Sequence, residues 1–432
     1  MSGWVVLLSV PGLWVGQAEK AAAKKLPKKP APEVIDAWKD AGLAFVWFTN
    51  VDGATVGISK REEPQPGDLP GFEFDQAKGS LRKVRDPQMK FGLEAGHGSI
   101  KEKFFYSKLP QLEQLVYLSL RRCSFDDDAV IPVPNLKSLR RLDLDSSTIG
   151  PDGLKTVAKS KTIRILSLKH CKELTNASLK PIADMKQMRR LQLDGNSFDD
   201  SALAIVAKLP ALTALSLNGI PKISDAGLEK IAGLERLEEL GLSETGITDA
   251  SAATLARFKE LRKLDLHGCQ EIGDATVKEL RELRNLTYLH LGRTRITSAA
   301  AEVIAGLEDL ELLSAPTTKI DDAALKQIAG LKKLQILNVG DCPITDRGLK
   351  HLLQLKGLGA LMLSDCTEIT EAGVRPLLEL PGLEFLTVED CPKISEKFRE
   401  SIPTALKKKG REQRFGRDDH ARDKGKAGEG GR

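Results

Sequence analysis

The pair Leu240-x-Leu242 returns along this chain at a fixed interval, and no other feature restricts the fold as tightly. Its first position falls at 118, 142, 166, 191, 215, 240, 264, 289, 313, 337, 361 and 386, twelve copies at spacings of 24 or 25 residues. A unit of that length cannot bury an apolar face alone, so successive units must stack and share one continuous core. By length alone 432 residues would suggest about two to four globular domains. The repeat replaces that expectation with one stack and its terminal pieces.

Each unit divides into parts with separate physical jobs. Two leucines with one residue between them point to the same side of an extended segment, so the pair marks a short strand, led in by Leu237-x-x-Leu240. The next buried aliphatic lies five residues after the second leucine in short units (Leu242 to Ile247, Leu291 to Ile296) and six in long ones (Leu168 to Leu174, Leu266 to Ile272, Leu363 to Ile369). The extra residue is thus confined to the turn after the strand, and strand register survives it. Then come a Ser or Thr and an acid: SDAG at 224–227, TDAS at 248–251, TDRG at 345–348, TEAG at 370–373. A hydroxyl there can accept from an unpaired N–H of a first helical turn, and the carboxylate faces the positive end of the helix dipole. The spacing predicts a helix in each unit, with LEKIAGL and AATLARF burying Leu, Ile and Ala on one side. The first unit departs: AVIPVPNL (129–136) has two prolines and should be irregular.

All six cysteines stand three residues after the second leucine position: Cys123, Cys171, Cys269, Cys342, Cys366 and Cys391. The other units place Ser147, Asn196, Ile220, Thr245, Thr294 and Thr318 there. Small residues at one inward corner describe a packing ladder, because a thiol buries like a small hydrophobe. A zinc site would need CxxC or HxxxH spacing, which is lacking; disulfides among Cys342, Cys366 and Cys391 could join only two of the three. Asp265 and His267 point the same way from one strand and His290 lies on the next, so a two-histidine, one-carboxylate cluster is geometrically available. Solvated face residues are the plainer reading. The sequence has no GxSxG, phosphate-cradling glycine loop, HExxH or distinct carboxylate pair. It reads as non-enzymatic, with no cofactor, metal or small-molecule substrate.

Charge is concentrated in the ends. The net value is +5, but residues 1–32 hold five Lys against Glu19, and residues 407–432 hold ten Lys/Arg against five Asp/Glu, leaving the middle at about −4. That middle is not a basic nucleic-acid binder. The apolar stretch Trp4 to Val15 is too short to span a bilayer and fits a signal-peptide core, with Gly16 and Ala18 placed for cleavage before Glu19. Export to the periplasm or beyond is expected over residues 1–18, with a cytoplasmic protein as the alternative. Residues 19–32 form a Lys/Ala/Pro linker. From 33 to 108 the text changes: Val34, Ile35, Trp38 and Leu43 have helical spacing. AFVWFT, NVDG and ATVGIS read as strand, turn and strand, and GDLPGFEFD as a further strand. This piece should cap the stack. The repeats run from 109 to 402, and 403–432 is a basic, Gly-rich tail suited at most to weak contact with an anionic surface.

With CQEIGDATVKEL, CTEITEAGVRPL and TGITDASAATLA in view, residues 109–400 resemble the leucine-rich repeat superfamily, nearest its cysteine-containing and bacterial 24-residue classes. The resemblance implies an α/β fold: a right-handed horseshoe solenoid with a parallel sheet on the concave side and helices on the convex side, here behind a small α+β cap. It implies protein recognition, without naming a partner. VIDAWKDAG with its hairpin and GDLP also resembles the leader of exported bacterial repeat proteins. Substrate receptors of ubiquitin ligases carry a helical F-box module ahead of cysteine-containing repeats; residues 33–108 do not read as one, and that function is kept as the alternative. Repeat proteins that activate GTPases supply an arginine near the first repeats; Arg121, Arg122 and Arg141 are present, but arginine is too common to count.

Residues just before, between and just after each leucine pair face the concave side. At the N-terminal end they are Tyr117, Arg121, Arg141 and Arg190, a basic region. The middle supplies Glu239, Lys263, Asp265, His267, Tyr288 and His290. Toward the C-terminus come Leu312, Ile336, Met362 and Phe385, an apolar column flanked by Asp341, Asp365, Glu389 and Asp390. The candidate contact set for a protein partner is Lys263, Asp265, His267, Tyr288, His290, Ile336, Met362 and Phe385. Cover by the chain's own end is the alternative for part of the column. At Ala315 and Pro316 the pattern breaks, and one backbone donor is lost to a tolerated defect or a kink.

Overall fold

The structure is a computed structural model and describes residues 26–74, 81, 84, 86–95, 98–99, 108–124 and 130–407. The expected leader at 1–18 and the tail past Lys407 lie outside the described residues. The chain divides into two compact units between Leu261 and Arg262.

The first unit opens with helix α1 (Pro32–Asp40), started by a proline at its first position and Glu33 in its first turn. Its inner face carries Trp38, fully buried, which stacks on Phe72 at 4.2 Å and meets Phe91 edge-on at 5.7 Å. Strand β1 (Leu43–Thr49) pairs antiparallel with β2 (Gly57–Ser59) and with β3 (Leu69–Phe74), as the alternating apolar text suggests. Strand β4 (Phe91–Glu94), unread in the sequence, runs parallel to β3 and then to the first repeat strand, with Leu93 opposite Leu118. The cap therefore continues the ladder of the repeats and covers their apolar end with a sheet edge already in register.

Six repeat strands follow in parallel, Leu118, Leu142, Leu166, Leu191, Leu215 and Leu240 standing opposite one another in turn. The second unit repeats the arrangement with Leu264, Leu289, Leu313, Leu337, Leu361 and Leu386. The outer elements are one- or two-turn helices, such as Asp200–Val206, Asp322–Ile328 and Asp346–Leu352. Three are 3₁₀ where proline intervenes: Val133–Asn135, in the predicted irregular stretch, Asn176–Asp184 around Pro181, and Arg375–Glu379 with Pro376.

Two regularities hold the units in phase. First, the second residue after the leucine pair has positive φ in every repeat: Arg122, Ser146, His170, Gly195, Gly219, Glu244, Gly268, Arg293, Thr317, Asp341, Asp365 and Asp390. Only three of these are glycine, so the corner is imposed on ordinary residues by the stack around them. Second, the acid that opens the outer helix reaches the next repeat at Asp200, Asp225, Asp274, Asp322, Asp346 and Glu371. Asp225 accepts both the N–H and the hydroxyl of Thr248 (2.8 and 2.7 Å); Asp274 does so with Thr297, Asp322 with Thr345 and Asp346 with Thr370. Thr248, Thr297, Thr345 and Thr370 meanwhile accept from their own helices, as predicted. Ser224 does not cap its helix and is held by Asp200. The acid was read as serving only its own helix dipole; it is also half of a joint between neighbours. A Cβ at Gly227, Gly348 or Gly373 would overlap a carboxylate oxygen of the preceding repeat's acid, which would have to shift; Ser251 and Ala300 hold the same position in the repeats joined by Asp225 and Asp274.

The six cysteines are buried thiols. Cys171, Cys342, Cys366 and Cys391 donate to the carbonyl of the residue that follows the strand of the preceding repeat, Leu144, Ala315, Val339 and Leu363, at 3.2–3.4 Å. Asn196 donates to Leu168 in the same way at 2.8 Å. Burial raises the thiol pKa of Cys123, Cys171 and Cys366 to about 12. The packing ladder is thus the structure's answer, refined by a hydrogen bond to the preceding repeat at these rungs.

Candidate docking face

The strand side chains that point away from the leucine core form the face on which a partner was expected. In the first unit much of it is already occupied. The hairpin of β1 and β2 folds over the first two repeats, so that Val46, Phe48 and Val56 pack with Tyr117. Phe48 meets the Tyr117 ring edge-on at 5.0 Å. Arg141, only 2% exposed, holds Asp143 through Nε (2.8 Å) and Nη2 (3.0 Å), and its Nη1 donates to the carbonyls of Val51 and Gly53. Tyr117 adds its hydroxyl to Asp143 at 3.3 Å. Tyr117 and Arg141, read as part of a basic docking region, are instead the seat of the cap. The hairpin turn brings carbonyls that a buried guanidinium needs, which no local sequence signal announces. Arg121 pairs with Glu94 at 2.8 Å, and Arg190 reaches past Ala214 to Glu239 at 2.5 Å.

In the second unit the face is lined in three rows. The middle row begins with Asp265 and His290, and the row after it with His267. These three are buried, at 5–8% exposure, contrary to the expectation of solvated groups. The rings of His267 and His290 lie 4.6 Å apart at 33°, and Asp265 Oδ1 accepts from the His267 N–H at 3.0 Å. His290 Nδ1 lies 3.3 Å from that same oxygen, yet it is not aligned for a hydrogen bond. Desolvation, then the positive charges available at His290 and Arg293, lower the His267 pKa to about 4 against the opposing pull of Asp265. Among the described residues no three His, Cys, Asp or Glu are placed to hold a metal ion.

A side chain at Gly292 would strike His267 Nδ1 and the Pro316 ring, at 2.7 and 2.8 Å. Glycine is therefore required between them. Pro316 itself breaks nothing. At the equivalent position in other repeats the N–H is not bonded to a neighbouring strand's backbone but to a side-chain oxygen: Lys169 to Asp145, Asn218 to Asp194, Ser243 to Asn218, Gly340 to Asn338. The backbone bonds on either side, from Ala315 to Asn338 and from Thr317 to Gly340, are intact at 2.8 Å.

The outermost row is apolar. Tyr288, Leu312, Ile336, Ala360 and Phe385 stand opposite one another on five consecutive strands. Tyr288, Leu312, Ile336 and Phe385 are half-buried, and Lys263 prolongs the row at Tyr288. Met362 belongs to the middle row and is buried at 6% exposure, and Ala360, which holds the column's register at that repeat, is buried at 1%, so the accessible part of the column is Tyr288, Leu312, Ile336 and Phe385. Burial raises the Tyr288 pKa, with the Asp265 charge adding to it.

A family model described as "Leucine-rich repeat region" matches residues 245–409, and one described as "Leucine Rich repeat" matches residues 135–158. Both stretches therefore carry leucine-rich repeats. Comparison with curated proteins gave no match. Among solved structures it is similar to an internalin, InlF, of Listeria monocytogenes, with 23% identity, 64% of this chain and 81% of that chain covered, and a TM-score of 0.50. It is also similar to TLR13 in the TLR13–ssRNA13 complex, with 18% identity, coverage of 77% and 46%, and a TM-score of 0.50. The leucine-rich repeat protein LIC12759 of Leptospira interrogans aligns at 20% identity over 70% of this chain and 90% of that one, with a TM-score of 0.45. At these identities the likeness is one of fold.

Proposed function

We propose that this protein is a non-catalytic recognition module that binds a protein partner on the sheet face of its second unit, and that it acts outside the cytoplasm. One observation carries the reading: the register-matched column of Tyr288, Leu312, Ile336, Ala360 and Phe385. The core is filled from the opposite side of the sheet by the leucine pairs, so this column is not needed to close it. Aromatic and aliphatic side chains held on a rigid ladder lose little freedom when a partner covers them. Lys263 at one end offers a charged rim. Export rests on the apolar stretch at 4–15; among the described residues no helix is long and apolar enough to cross a membrane. The ligase-receptor alternative is weakened by the cap, whose described residues form one helix and five strands where a helical module would stand.

The test is paired truncation. Tyr288→Ala with Phe385→Ala should weaken binding to a captured, purified partner by roughly 30-fold, at about 1 kcal/mol per anchor, and move the melting temperature by a few degrees at most. A collapsed melting temperature with binding intact would make both residues core and sink the proposal. Sequencing the mature N-terminus should find Glu19; a chain retained in the cytoplasm with Met1 in place would remove the export half.

A further inference from the structure

The apolar column runs along one edge of the second unit's sheet face, and an acidic ridge runs along the other. Asp341, Asp365 and Asp390 occupy the positive-φ corner of three consecutive repeats, Glu389 precedes the last, and all four are exposed. Their backbones interlock, Asp341 donating to Ser364 and Asp365 to Glu389 at 2.8 Å, so the carboxylates cannot drift apart. Desolvation and then repulsion from Asp390 and Asp341 raise the Asp365 pKa. Among the described residues no ion pair involves any of the four. The floor between the two edges includes Pro316, Gly340 and Ser364 in one row and Ser314 and Asn338 in the other. Such a face accepts a segment that is apolar on one side and cationic on the other.

The chain supplies one. The last outer helix, 396–407, packs Phe398, Ile402 and Leu406 inward. In the other repeats the chain leaving the outer helix turns to the starting edge of the next strand, as from Leu352 to Ala360, and that edge is where the apolar column lies. Phe385–Thr387 is the last strand of the sheet. The residues after Lys407 read KKGREQRFGR, with five Lys/Arg against Glu412 alone, and Phe415 is the tail's only Phe, Trp or Tyr. Eight residues from Lys407 to Phe415 reach up to about 27 Å when extended, more than the roughly 19 Å between the ends of a five-strand column.

We propose that residues 408–417 dock on this face of their own chain, with Phe415 on the apolar column near Phe385 and Ile336 and the basic side chains along the Asp341–Asp390 ridge. The inference rests on reading the face as a docking surface and makes the tail the resident competitor of the protein partner.

Irradiation of the full chain carrying the photo-crosslinking residue p-benzoylphenylalanine in place of Phe415, whose excited ketone inserts into a neighbouring C–H bond, tests it in a mixture of isotope-labelled and unlabelled copies. Expected are links from position 415 to Phe385 or Ile336 within one copy. Their yield should fall several-fold between about 0.05 M and about 1 M salt, where screening shortens to about 3 Å, and equally in the R411E/R414E/R417E variant. That variant should also bind the partner several-fold more tightly. Links only between copies, no links, or yields indifferent to salt and to charge reversal would overturn the proposal. If the links fail while Tyr288→Ala and Phe385→Ala still abolish capture, the tail proposal falls alone. If the tail docks and those substitutions leave capture unchanged, the partner reading falls alone.

Discussion

Arg141 and Asp143 show how a side chain's role is set by what lies above it. On the sequence they are two more face residues; under the β1–β2 hairpin they are a buried pair whose remaining donors are met by Val51 and Gly53. Removing one partner leaves an uncompensated charge, so Arg141→Ala should destabilise the first unit by about 3–5 kcal/mol, read from the urea midpoint. Arg141→Met with Asp143→Leu should recover much of that loss; equal damage from both would show that the charges are not the issue. His267 gives a pH dependence of definite sign. Its folded pKa, about 4, lies below the unfolded value of about 6.5, so between these values the unfolded chain takes up a proton that the native ring refuses. That contribution is complete above about 6.5 and is lost as pH falls toward 4, at up to about 1.4 kcal/mol per unit. The difference in stability between the wild type and His267→Gln should therefore slope through this window and be flat above it.

At the scale of the element, the repeated unit is defined by joints as much as by its strand. The Ser/Thr–acid–x–Gly text was legible as a helix start, yet its glycine gave no local reason, because the group it avoids belongs to the previous repeat. Gly373→Ala should cost about 1–3 kcal/mol through the collision with Asp346, whereas Gly233→Ala, with nothing nearby, should be neutral or slightly stabilising. Similar urea midpoints for the two would refute the steric account. The corner residue escaped the sequence reading for a related reason. Positive φ is announced by glycine at only three of its twelve occurrences, and Asp, Arg, Thr, Ser, Glu and His give no such signal. The cysteine rung was legible, since one position carrying either Cys or a small polar residue already says inward and tight.

Over the whole molecule, periodicity exposed nearly all of the fold, because each leucine repeats its task twelve times and errors of register would be visible at once. What stayed hidden is what happens once. The fourth cap strand, Phe91–Glu94, has no repeat to match, and the hairpin's seat on Tyr117 joins residues about seventy apart. The apolar column was half legible: alternation placed Leu312, Ile336 and Phe385 correctly, and misassigned Met362 by one row.

The acid-to-hydroxyl joint has a consequence for how such a chain can change its length. Where a repeat offers both an acceptor forward and a Ser/Thr donor backward, as Thr345–Asp346 does, removing that unit leaves Asp322 facing Thr370 in place of Thr345, the same chemistry at the same position. Duplication or loss of a unit of that kind therefore creates no orphaned group at the joint, whereas units with Gly273, Ser298 or Asp321 at these positions fit only their present neighbours.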